Sequence, residues 1–220
     1  MKFEWHIEQS DIQAVQNIVA QQQSRTFVVD RIKRNVNGSL PEISRSGIWQ
    51  TQMMCLLTSQ QRSGPNRPVS NLLCERPFRL SLQACRDAKD VKSFVNSTLT
   101  NFGGIRFTDN IAKRAAANFG KLENGGWKEL LTWLEKLKAQ RLQSPNPLHY
   151  QLERQAALYM DEYEGFGPKQ SRNFWQALGL TQYEFVLDSR ITVALQDSVE
   201  WLCRRRSEEQ QFSDRPDMVG

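Results

Sequence analysis

The sequence predicts an all-α protein, and three observations carry that reading. Apolar residues recur at three- and four-residue spacing in one segment after another. A few of those segments open at capping residues, several close at glycine or proline, and almost nowhere does polar–apolar alternation mark a strand. Phe185, Val186 and Leu187 form one short extended candidate, and three residues do not make a sheet.

The first helix follows Ser10 and Asp11, with Ile12, Val15, Ile18 and Val19 at helical spacing and an acidic residue suited to the positive helix end. Gly38, Pro41 and Gly47 mark a looser connection. From Ile48, the set Trp49, Met53, Leu56 and Leu57 gives a second helix, which runs into the polar stop Thr58 to Pro65. A short helical pattern after Pro68 reaches Leu72 and Leu73. Val91, Phe94, Val95, Thr98, Leu99 and Phe102 then line one face of a helix that the pair Gly103 and Gly104 should end.

Thr108 with Asp109 is a candidate cap for the next helix, in which Ile111, Ala112, Ala115 and Phe119 point inward while Lys113, Arg114 and Lys121 supply positive charge. Trp127, Leu130, Leu131, Leu134 and Leu137 define another. Pro145 and Pro147 break the chain, and Leu152, Ala156, Ala157 and Tyr159 lead into the turn Tyr163 to Lys169. Phe174, Trp175, Ala177 and Leu178 continue a helix to Gly179. Asp188 stands before a last pattern through Ile191, Val193, Ala194, Leu195, Val199 and Leu202, and the polar residues 206–220 read as a tail.

A chain of 220 residues fits one large domain or two small ones. Hydrophobic residues at 39%, with six Trp and eleven Phe, favour a globular protein over a disordered one. No apolar run is long enough for a membrane span and no secretory pattern opens the chain, so no membrane partner and a cytoplasmic location are expected. The formal charge of +5 permits a polyanionic partner without requiring one. Cys55, Cys74, Cys85 and Cys203 do not have the spacing of paired metal ligands, so they are expected to be free thiols used as small apolar packing groups, with no metal bound.

The chemistry concentrates around Gly165-Phe166-Gly167. Both glycines can adopt positive φ and leave backbone N–H groups open to phosphate at the start of a helix, although such turns often only join two helices. Lys169, two residues later, falls in the first helical turn, where the local positive potential disfavours a protonated amine and so favours a nucleophile. Asp188 lies 19 positions downstream, one helix and a short return away. An Asp there is suited to cap the following helix, and capping is compatible with catalysis.

These residues resemble a known family. Glu164-Gly165-Phe166-Gly167-Pro168-Lys169, followed after 19 positions by Leu187-Asp188, is similar to the helix-hairpin-helix superfamily of base-excision DNA glycosylases. Leu56-Leu57-Thr58-Ser59-Gln60 resembles the helix end that carries the family's residue filling the gap left in the duplex. Gly104-Ile105-Arg106-Phe107 with Lys113-Arg114-Ala115 resembles the segment preceding the hairpin, and the likeness covers roughly residues 45–205.

The resemblance implies two helical subdomains with an active site between them: a middle one over about 48–145 and a hairpin-bearing one formed by 1–47 with 146–205. It implies a bifunctional DNA glycosylase and abasic-site lyase that excises an oxidised purine, 8-oxoguanine, through a lysine Schiff base and β-elimination. Lys169 and Asp188 would be catalytic; Gln60, Gly165, Gly167 and Arg190 would bind DNA. Asn173, one helical turn beyond Lys169, would face the base pocket. Without the four-cysteine iron–sulfur set, the likeness is to the cluster-free 8-oxoguanine branch, with no cofactor and a monomer acting on double-stranded DNA with a damaged base. Ser189 and Arg190 stand where many relatives carry a histidine, which leaves the substrate open.

A stacked base must be extruded at a cost of a few kcal/mol and the hole filled; Gln60 suits the filling, unless Gln60 and Gln61 merely satisfy loop backbone groups. Trp175 and Phe166 are candidates to stack on a base but more readily core residues. Arg204, Arg205 and Arg206 are candidates for phosphate contact or a solvated helix end. Two further readings stay open: a catalytically idle helix-hairpin-helix module that binds DNA or a partner, and a glycosylase for another modified base in a defence or modification pathway.

Overall fold

The computed structural model describes residues 8–37, 40, 42–144, 146, 148–184 and 186. The described residues up to Glu184 form one unit, and Val186 alone is described beyond it. Asp188, Arg190, Cys203 and the three arginines at 204–206 lie outside the described residues, as does the last helical pattern.

The described residues are all-helical, with no strand among them. The order is α1 (Gln9–Gln22), α2 (Thr26–Ile32), a π turn (Lys33–Asn37), α3 (Arg45–Leu57), α4 (Pro68–Cys74), α5 (Leu82–Asp87), α6 (Val91–Phe102) and α7 (Thr108–Lys121). A second π turn (Leu122–Gly126), α8 (Trp127–Arg141), α9 (His149–Met160) and α10 (Pro168–Ala177) follow. None of these helices is long and apolar enough to cross a membrane.

Several element ends follow directly from residue chemistry. The Ser44 hydroxyl accepts the Gly47 N–H at 3.1 Å and starts α3. Gly47 therefore lies in the first turn of α3 and not in a loose connection, because the cap precedes it by three residues. Asp90 accepts the Ser93 N–H at 2.6 Å at the start of α6, and Gly103 and Gly104 close that helix at φ +80° and +71°. The start of α7 differs from expectation: its cap position is Phe107, in the left-handed region at φ 60°, so Thr108 and Asp109 fall in the first turn. Helices α2 and α5 carry no clear periodic signal, being seven and six residues long.

The core forms around α3. Trp49 is fully buried, donates its indole N–H to the Leu80 carbonyl at 2.9 Å and meets Phe119 of α7 edge-on at 5.7 Å. Met53, Leu56 and Leu57 of the same helix join Ile111, Ala112 and Ala115 of α7 and Phe174 and Trp175 of α10 in one cluster. Trp175 donates to the Ala156 carbonyl at 2.8 Å, which ties α10 to α9. Cys55 and Cys85 are buried thiols, and burial pushes both up, Cys85 to about 12. Cys74 is the exception to the expected packing role: it is exposed at the end of α4.

The N-terminal helices meet the rest through polar groups. Arg31 donates to Gln176 at 2.8 Å, and the Asn35 carboxamide donates to the carbonyls of Gln176 and Thr181 at 2.9 and 3.0 Å. Ile12, Val15 and Val19 of α1 stay at the surface, the last two 60% and 58% exposed.

Candidate functional site

The turn between α9 and α10 is held by α7 and by hydrogen bonds of its own. Asn118, buried on α7, donates its amide to the Glu164 carbonyl at 3.0 Å and accepts the Glu164 N–H at 2.8 Å. Lys121, one turn further along α7, pairs with the Glu162 carboxylate at 3.1 Å and lies 4.5 Å from the centre of the Tyr163 ring. Inside the turn, the Phe166 N–H donates to the Tyr163 carbonyl at 3.0 Å, and Ser171 donates to Asp161 and to the Gly167 carbonyl.

The two glycines are not equivalent. Gly165 sits at φ +82°, and a Cβ there would lie 2.6 Å from Cδ of Arg114 and 2.8 Å from Cδ2 of Leu56. It is glycine both for its backbone and for the close approach of α7 and α3. Gly167 is extended, at φ −124° and ψ −175°, with nothing within 4 Å of a Cβ. The expectation of positive φ at both glycines therefore holds for Gly165 alone; Pro168 follows Gly167, and a residue before proline is held in the extended region.

Phe166 and Trp175 belong to the core, 7% and 0% exposed, in an edge-to-face series running Tyr163, Phe166, Phe174, Trp175. They are not available to stack on a base. Lys169 is exposed in the first turn of α10, directly after Pro168 at the first helical position. Asn173, one turn on, is half-buried in the seam between α10 and α3; its amide approaches Cys55 Sγ at 3.8 Å and Gln170 Oε1 at 3.3 Å. Further along that seam Thr51, Met54, Ala177, Leu178, Glu42 and Arg34 line a cleft of about 390 Å³. Lys169, Asn173 and Ala177 succeed one another at four-residue steps, so α10 runs from the amine to the cleft in about 12 Å.

The loop after α3 separates the roles of its two glutamines. Gln61 is used internally: its amide donates to the Leu57 carbonyl at 2.6 Å, and its oxygen accepts the Arg106 N–H at 3.0 Å. Gln60 is exposed at φ 57°, an unfavourable backbone for a residue with a Cβ. The Gln61 bond also places Arg106 and Phe107 beside this loop. Phe107 is 46% exposed in left-handed backbone, with the Arg106 guanidinium 4.8 Å from the centre of its ring. A second protruding side chain thus accompanies Gln60. Phe107 gives no signal in the sequence, because a lone aromatic before a helix looks like a packing residue; its positive φ is visible only in three dimensions.

Arg62, Arg67, Arg106 and Lys113 are exposed on and around these loops, and Arg114 is half-buried against the hairpin. Among the described residues no group of three or more His, Cys, Asp or Glu is arranged to hold a metal ion. A larger cleft, about 940 Å³, runs along α8 past Arg45, Trp127 and Lys136 and contains none of the candidate residues. No protein-family model, curated protein or solved structure matches the chain.

Proposed function

We propose that this protein is a bifunctional DNA glycosylase and abasic-site lyase of the helix-hairpin-helix type, acting on an oxidised purine. The observation that carries the reading is the seating of Lys169. The amine stands at the start of a helix, behind a turn locked to α7 by Asn118 and to α3 by the close approach at Gly165, and the exposed Gln60 and Phe107 project from the loops joined through Gln61.

In this reading Gln60 enters the duplex as the damaged base leaves it, offsetting part of the few kcal/mol of unstacking. Arg62, Arg67, Arg106 and Lys113 neutralise phosphates, so affinity falls as salt rises. The Lys169 amine attacks C1′ of the extruded nucleotide; the glycosidic bond breaks, and its electron pair leaves with the base, which takes up a proton. As the C1′–O4′ bond breaks and the sugar ring opens to an imine, the amine gives up its two protons, one balancing that taken by the base and the other that taken by O4′, which becomes a hydroxyl. Loss of a C2′ proton then expels the 3′ phosphate, and water hydrolyses the imine to return the lysine. Asp188 carries the stabilisation of charge on the sugar and the proton transfers.

Borohydride reduction in the presence of abasic DNA tests the reading. Wild type should be trapped as a covalent adduct and Lys169→Gln should not; equal trapping by the variant removes Lys169 from the reaction. Asp188→Asn should lose about 10²–10⁴-fold in base excision while remaining folded. Single-turnover assays on duplexes carrying 8-oxoguanine, uracil, thymine glycol and a plain abasic site fix the base. Fastest cleavage at 8-oxoguanine supports the purine assignment, and faster cleavage at a pyrimidine lesion refutes it.

A further inference from the structure

We propose that α1 is a self-association helix, pairing antiparallel with α1 of a second copy of this chain, where the family resemblance implies a monomer. Apart from Asp11, each residue of α1 whose side chain is described is exposed. Ile12, Val15 and Val19 are 41%, 60% and 58% exposed at steps of three and four residues, so they share one face, and Gln13 donates to Asn17 at 3.1 Å on the opposite one. Val29, Ile32 and Val36 repeat that spacing over α2 and the π turn. Among the described residues these six are the majority of the eleven exposed large hydrophobic side chains, which concentrates the uncovered apolar surface on the N-terminal helices.

An isolated helix of about 12–15 residues is marginal in water and takes its stability from packing of its apolar face. α1 has 14 residues, and its β-branched Ile12, Val15 and Val19 give it no surplus of helix propensity. Such a face calls for a covering partner, and the charges select it. Asp11 is the one charged residue within Gln9–Gln22, so the helix has no cation to meet phosphate or an anionic membrane. Glu8 and Asp11 stand at one end, and Arg25 stands just past the other; Glu8 and Arg25 are both exposed. A parallel copy would set like charge against like. An antiparallel copy sets Glu8 and Asp11 against the partner's Arg25 and opposes the two helix dipoles favourably. The register that faces Glu8 with the partner's Arg25 also faces residues 12–19 with residues 14–21 of the partner, so the apolar stripes overlap. The pairing closes on a two-fold axis near residues 16 and 17. A contact one helix wide and about 21 Å long falls below the roughly 1,200 Å² of stable interfaces, so the dimer dissociates on dilution.

Sedimentation equilibrium of the full-length protein without DNA tests the pairing. The mass should rise from 25.5 kDa towards twice that value as concentration increases over about 1–200 μM. The double variant Val15→Lys, Val19→Lys should stay at 25.5 kDa and melt as dilute wild type does, both side chains being exposed in the single chain. Arg25→Glu should weaken association about 10-fold at low salt, and adding Glu8→Lys should restore part of it. For the register, Gln16→Cys and Gln9→Cys are each placed in a Cys74→Ser, Cys203→Ser background and oxidised. Gln16 lies beside the axis and should cross-link; Gln9, one heptad earlier on the same face, lies about 22 Å from its counterpart and should not. Wild type that stays at 25.5 kDa throughout overturns the inference, and a lowered melting temperature of the double Lys variant then shows the stripe covered by the rest of its own chain. A dimer that the Lys variant leaves intact, or cross-linking at Gln9 as readily as at Gln16, overturns it as well. If the Lys variant does not fold, Arg25→Glu and the cross-linking carry the test, and unchanged association without a Gln16 cross-link overturns it.

Discussion

Asn118 and Glu164 exchange two hydrogen bonds, so a side chain of α7 does for the hairpin what a neighbouring strand would do. The carboxamide has the right chemistry at both ends, since its amide meets a carbonyl and its oxygen meets an N–H, with the α7 side of the pair fully buried. The hairpin is thereby a fixed part of the structure and carries the start of α10 with it.

Removing that pair should loosen the hairpin. Asn118→Ala is expected to cost about 1–3 kcal/mol, and Asn118→Asp nearly as much because a carboxylate keeps the acceptor and loses the donor. Urea denaturation of the three proteins measures it. Equal midpoints would mean that α9 and α10 alone hold the turn.

The hairpin glycines should respond in opposite ways. Gly165→Ala meets Arg114 and Leu56 at distances no Cβ adopts and stays in left-handed backbone, so a loss of more than about 2 kcal/mol is expected. Gly167→Ala should leave the melting temperature close to wild type, its backbone being extended and its surroundings open. Comparable losses in the two variants would contradict the asymmetry.

Gln60 and Gln61 should likewise divide stability from DNA interaction. Gln61→Ala deprives the Arg106 N–H of its acceptor and is expected to lower stability by about 1 kcal/mol. Gln60→Gly suits the positive φ and should not lower the melting temperature, yet it should weaken base excision because nothing is left to enter the duplex. Thermal melts paired with single-turnover excision decide it, and a Gln60→Gly variant of full activity would remove the filling role.

The core contains one costly feature. Gln52 is fully buried on α3, and neither its amide nor its carbonyl has a hydrogen-bond partner among the described residues. Gln52→Met keeps the volume and removes the unpaired polar atoms, so a gain of about 1 kcal/mol in unfolding free energy is expected by denaturant titration. A loss instead would show that the carboxamide has a partner in solution.

What the sequence determined by itself was the helical class and the longer elements. The face Ile111, Ala112, Ala115 required a buried side on α7, the pair Gly103 and Gly104 required a stop after α6, and Phe174 with Trp175 on a helical face required burial of α10. Each depends on chemistry within a few residues, whether periodicity or a missing Cβ. The candidate site was legible to the same extent: a glycine turn followed by a lysine in the first turn of a helix is a local pattern. The tertiary structure alone decided which glycine is constrained, which glutamine is spent on the backbone and which is exposed, and that Phe107 protrudes. These outcomes depend on residues 45 or more positions apart, such as Gln61 with Arg106 and Asn118 with Glu164. Glu153 is the clearest case. In sequence it is one glutamate on an amphipathic helix, indistinguishable from a solvent-facing residue, and only the return of residues 182–184 against α9 makes it a buried anchor, because a hydrogen bond is specified by where the chain goes and not by what it is made of.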